Sequence, residues 1–180
     1  MFSTVALFAT SCSPIPAPPR ESTGDSAVRT GDLIPEFRLQ SGAGSAVTRI
    51  DLVRQPGALV FVSTDEAMVD RYLGRIDDAF DRFGPGAAAV RRVGVILPGL
   101  DPAGWSRPGW MSLHGPDEET LALAGRFGVV QWGGAIPAQN FTVTVFDRDG
   151  RVVQRFGGLD TWGEIDLVTA LDRALTAQSR

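Results

Sequence analysis

Sulfur and imidazole, the groups that most often carry redox and metal chemistry, are scarce in this chain. It has one cysteine, Cys12, and one histidine, His114. One thiol cannot form an internal disulfide, a CxxC redox pair or a zinc knuckle. One histidine cannot supply the clusters of most zinc and copper sites, and at the end of a strand His114 reads first as a packing or hydrogen-bonding residue. The other candidates are oxygen donors and aromatic rings. Asp65, Glu66 and Asp70 lie close together, with Glu66 and Asp70 four residues apart. At a helix start that spacing lets both project onto one face. There they can hold a hard cation such as Ca²⁺ with water and backbone oxygens. The plainer reading is that acids at a helix N-terminus complement its macrodipole and cap its first turn. Paired carboxylates also serve glycoside hydrolysis, but the sequence shows no sign of the sugar-binding cleft that chemistry needs. Met68, a lone thioether beside them, reads as a core-filling residue.

The elements that must position these residues follow from apolar patterning. Gly57–Thr64 (GALVFVST) is an uninterrupted apolar run, as expected of a central strand covered on both faces. From Asp65 to Phe83 the residues Val69, Leu73, Ile76, Phe80 and Phe83 recur at spacings of three and four, an amphipathic helix stopped by Gly84-Pro85-Gly86. Residues 90–98 form a second buried strand, and 110–115 a short one after the loop Gly99–Trp110. Acids at 117–119 open a helix running to Phe127. After the loop Val129–Asn140, residues 141–147 and 151–158 form a hairpin about a tight turn. A last helix spans Thr161–Ala177, with Ile165, Leu167, Val168, Leu171 and Leu175 as its apolar residues. Upstream, 31–40 and 47–52 (VTRIDL) flank a Gly/Ser turn as an entry hairpin. Alternating elements with a terminal hairpin indicate an α/β sandwich with a mixed sheet.

Order is expected from Gly31. Met1–Cys12 is short and apolar and ends in small residues before the cysteine, like a bacterial lipoprotein signal whose cysteine becomes lipidated. No Lys or Arg precedes the apolar run, so an incidental cysteine in a frayed terminus is the competing reading. Ser13–Thr30 is rich in Pro, Ser and Thr and reads as a tether with a reach of about 20–25 Å. The chain has 180 residues, 43% apolar and 21% charged, enough for one domain with a core at 31–180. All 17 basic residues are arginine, the net charge is −4, and no basic tract appears, which argues against nucleic acid as a partner.

The motif Gly31-Asp32-x-x-Pro35-x-Phe37-x-Leu39 resembles the entry hairpin of extracytoplasmic members of the thioredoxin-like superfamily, and Val145–Val153 resembles their last hairpin. Trp110-Met111-Ser112-Leu113-His114-Gly115, then Glu119 to Val129, and Asp101-Pro102 after the second buried strand, resemble the Sco/SenC branch. The resemblance implies a thioredoxin-like sandwich, a mixed central sheet with flanking helices and an added N-terminal hairpin. It also implies membrane-anchored copper chaperones or thiol reductases that help assemble cytochrome oxidase. Such proteins carry a CxxxC pair directly after the third strand and a distal histidine before the final hairpin. Here the aligned positions hold Glu66, Asp70, and Gln139 or Asn140.

Carboxylates are hard ligands where Cu(I) selects sulfur, and thiol exchange needs a thiolate that 31–180 lacks. The expectation is therefore a non-enzymatic member without cofactor. It would be lipid-anchored through Cys12 at the periplasmic face and bind a respiratory or photosynthetic membrane complex as an accessory or assembly subunit. Trp105, Trp110 and Trp132 fall in or beside the two loops that this fold places at the site's end. They read equally as partner contacts or as plugs for the core beneath the loops. Pro137 lies ten residues before Asp147, too far to match the cis-proline of thioredoxins. The competing class is a metallochaperone or reductase with a non-standard ligand set.

Overall fold

The computed structural model describes residues 27–63, 66–129, 136, 141–158 and 160–177. Packing begins slightly before Gly31. Val28 is buried and its N–H donates to the Arg126 carbonyl at 2.9 Å.

β1 (Arg38–Ser41) and β2 (Ala46–Thr48) pair as the entry hairpin. The expected hairpin arm through Leu52 instead breaks into a short helix, α1 (Arg49–Leu52). The reason is local. The Asp51 carboxylate accepts hydrogen bonds from the Thr48 N–H and hydroxyl, each at 2.8 Å, which closes a helical turn. Ile50 turns outward and is 60% exposed, while Leu52 is buried.

β3 (Gly57–Val62) is buried at every residue. It leads into α2 (Glu66–Phe83), which buries Tyr72, Leu73, Ile76, Ala79 and Phe80. A 3₁₀ turn over Gly84–Ala89 follows, then β4 (Arg91–Ile96), β5 (Trp110–His114) and α3 (Asp117–Arg126). β6 (Thr142–Phe146), β7 (Val152–Gly157) and α4 (Glu164–Thr176) complete the chain. In α4 the buried stripe is Leu167, Ala170, Leu171 and Ala174. Ile165, expected on the apolar side, is 71% exposed.

The sheet has seven strands in the order β2-β1-β5-β4-β3-β6-β7. β3, β4 and β5 run parallel, and the remaining neighbours are antiparallel. This is the mixed sheet with an added N-terminal hairpin, which joins through β1 to β5. Cross-strand partners share a face, so Leu59 and Phe61 lie with Val93 and Val95. Phe61 meets Phe127, just after α3, with ring centroids 5.4 Å apart. Arg92 and Gly94 point to the opposite face, where α2 packs beside α4.

Close packing sets specific tolerances. A Cβ at Gly57 would fall 2.5 Å from the Phe146 ring. Gly57→Ala is expected to destabilise the domain by about 1–3 kcal/mol, read as a lower urea midpoint. Asp51 supplies a pH test. Its hydrogen bonds from the Thr48 N–H and hydroxyl hold its carboxyl below the ordinary 3.8. A depressed folded-state pKa contributes stability that is present above the unfolded value and lost as pH falls through the folded one. The α1 amides should therefore lose protection as pH drops below about 3.8. In Asp51→Asn that acid step in hydrogen exchange should disappear.

Candidate functional site

The residue that organises the end of the sheet is Asp77, on the sheet-facing side of α2. Its carboxylate is half-buried, and an anion there must be paired. Oδ1 accepts from Arg92 Nη1 at 2.9 Å and from Trp110 Nε1 at 2.8 Å. Oδ2 accepts from Arg107 Nε at 2.7 Å. Arg92 also lies over the Phe80 ring, 4.7 Å from its centroid. One carboxylate thus ties α2 to β4, to the start of β5 and to the connection between them.

That connection, residues 97–109, forms a strap. Leu97 N–H donates to the Val62 carbonyl, which fixes its start against β3. Asp101 Oδ1 accepts from the Ala103 N–H, and its carbonyl from the Trp105 N–H, so the strap is folded on itself. Trp105 lies over Gly94. A Cβ at Gly94 would come within 2.8 Å of the indole. Trp105 and Trp110 meet edge to face, 6.4 Å between centroids. Between the strap, the end of β3 and α2 lies a cleft of ≈ 500 Å³, lined by Val62, Ser63, Asp70, Leu100, Asp101, Trp105 and Arg107.

Ser63 lies at the end of β3 and is 2% exposed. Its Oγ accepts from the Ile136 N–H at 3.3 Å. Among the described residues this is its one hydrogen bond, and no base stands beside the hydroxyl to make it a nucleophile. Tyr72 is not poised for proton transfer either. Burial pushes its phenol far up, and its hydroxyl donates to the Phe141 carbonyl at 3.4 Å.

Asp70 reaches the cleft as the alignment at the end of β3 implied. Its side chain is 79% exposed, and its Oδ1 accepts from Arg107 Nη1 at 3.5 Å. Glu66 opens the α2 backbone, but its side chain, like that of Met68, lies outside the described residues. So do Cys12, Asp65, Trp132, Pro137, Gln139 and Asn140. Among the described residues no group of three or more His, Cys, Asp or Glu could hold a metal ion. His114 is away from this carboxylate network, paired with Gln40 of β1, with Nδ1 buried and unpartnered among the described residues. Trp105 and Trp110 are partly buried against the core, so much of each ring is committed to packing. Asp77, Arg92, Arg107 and Ser63 were not singled out in the sequence. Asp77 sits one position after Ile76 in the apolar stripe, and that was the available signal.

Asp70, engaged by Arg107, offers a hard carboxylate, whereas Cu(I) selects sulfur.

The network separates inner from outer acids. Asp77→Ala strands two guanidinium groups and an indole N–H, and should cost about 2 kcal/mol in chemical denaturation. Asp70→Ala should change stability by less than about 0.5 kcal/mol.

No protein-family model and no curated protein matches the chain. Solved structures do. Bradyrhizobium japonicum ScoI with copper bound is 20% identical, with a TM-score of 0.61 over 80% of this chain and 100% of that one. BsSco, a member of the Sco family of cytochrome c oxidase assembly proteins, is 16% identical, with a TM-score of 0.68 over 86% and 100%. The thioredoxin domain of a thiol-disulfide oxidoreductase from Bacteroides vulgatus is 11% identical, with a TM-score of 0.60 over 83% and 100%. Among the described residues no helix is long and apolar enough to cross a membrane. The chain has the thioredoxin-like fold that the Sco proteins share.

Proposed function

We propose that this protein is a redox-inactive, lipid-anchored thioredoxin-fold binder. It serves as an accessory, assembly or structural subunit of a membrane electron-transport complex, respiratory or photosynthetic, on its periplasmic side. The observation that carries the reading is the end of β3. The scaffold that positions a sulfur site in the Sco proteins is retained, yet Ser63 and an Arg107-bound Asp70 line the cleft there. Neither side chain supports thiol exchange or soft-metal transfer. Recognition then falls to the loops after β4 and before β6, with Trp105, Trp110 and Trp132 as the proposed contact residues. BsSco is a member of the Sco family of cytochrome c oxidase assembly proteins, which supports a membrane complex as partner. Lipidation of Cys12 and the Ser13–Thr30 tether would raise the local concentration of the domain at that complex.

Purification from native membranes tests the proposal. The chain should co-purify with a larger membrane complex, and Cys12→Ser should move it to the soluble fraction. Recovery only as a free monomer would count against it. Copper titration addresses the other reading, a metallochaperone with an unusual ligand set. Stoichiometric tight binding that disappears in Glu66→Ala or Asp70→Ala would replace the proposal with that one.

A further inference from the structure

We infer that the strap over residues 97–109 is a hinged cover for the cleft, and that Arg107 is its latch. Three observations carry this. The first is its attachment. Among the described residues, every backbone hydrogen bond made by residues 98–109 is to a residue between 97 and 110. Within that set no backbone bond fastens the strap to α2 or β3 beyond Leu97. Such a segment opens without breaking the sheet, because sheet hydrogen bonds are not part of its closure.

The second observation is at its ends. Gly99 has φ +96° and Gly109 has φ +77°, both in the left-handed region that side chains avoid. Residues at element termini that absorb large dihedral changes are where segments pivot. The strap has one at each end.

The third observation is what holds it closed. Leu100, beside the first pivot, and Trp105 pack against the core. Trp105 also meets Trp110 edge to face, and among the described residues the polar side-chain fastening to α2 is Arg107. Its Nε donates to Asp77 at 2.7 Å and its Nη1 reaches Asp70 at 3.5 Å. Both carboxylates belong to α2, seven residues apart on a rigid helix, whereas the guanidinium belongs to the strap. The planar fork spans an inner acid that also binds Arg92 and Trp110, and an outer acid open to solvent. When Arg107 leaves, Asp77 keeps two donors, so the hub survives while the strap is released. Opening would uncover Ser63 and the Gly94 floor now beneath Trp105. Resting on the reading of this cleft as a docking site, the strap sets when a partner can enter it.

Hydrogen exchange on the full chain tests the latch without any partner, so its failure is separate from failure to co-purify. In Arg107→Gln the amides of 99–109 should exchange about tenfold faster or more, while α2, β3 and β4 change by less than about twofold. Arg107→Lys, which keeps the charge but not the fork, should fall between. Acrylamide quenching of the Trp105 component, isolated by difference from Trp105→Phe, should rise in step. Unchanged strap exchange in Arg107→Gln, or an equal rise throughout the domain, would overturn the inference. Should that variant not fold, exposed Asp70→Asn decides the matter. An increase of about twofold or more confined to the strap supports the latch, and a smaller or unselective change removes it.

Discussion

The arrangement at this end of the molecule depends on the need to pair the Asp77 carboxylate. α2 presents this acid toward the sheet rather than toward solvent, where an unpaired charge is costly. Three donors converge on it, from the middle of the sheet, from the strap and from the first residue of β5. Each charge-assisted bond is modest alone, but together they set the relative position of three elements. The side wall of the cleft follows from that position. Arg92 also stacks on Phe80, so the polar network continues into the apolar core of α2.

The sheet imposes a second requirement. With β3 buried along its whole length, both faces must be covered. α2 and α4 cover one face only in part, and over β4 and β5 the strap supplies the cover. Gly94 makes this possible, because only a residue without a side chain leaves room for the Trp105 indole. On the other face Phe61 and Phe127 fill the space beneath α3. The scaffold is therefore built with tight internal contacts. The described residues around the cleft hold one another in place.

Much of the fold was legible from pattern. The period of α2, the unbroken apolar run of β3 and the two hairpins each reflect a single geometric demand repeated along the chain. The departures have equally local causes. α1 arises because Asp51 turns back onto Thr48, a signal spread over four residues that strand-like alternation conceals. Ile165 faces water because the face that α4 buries is the one carrying Leu167, Ala170, Leu171 and Ala174. The candidate site was legible in part. Asp70 was located by alignment at the end of β3, and Trp105 and Trp110 were placed in the right neighbourhood. Nothing in the spacing of Asp77, Arg92 and Arg107 marks them as partners, because they are 15 and 30 residues apart and come from different elements.

By itself, then, the sequence determined which donor atoms the domain carries: between residues 31 and 180 there is one histidine, His114, and no cysteine. Periodicity likewise marked the longer helices and strands, though not α1, since burial of one face is a local property of the pattern. Only the tertiary structure decided where the charges go. Which arginine meets which aspartate depends on the register of β4 against β3 and on the path of the strap over Gly94. Both are set by packing between elements far apart in the chain.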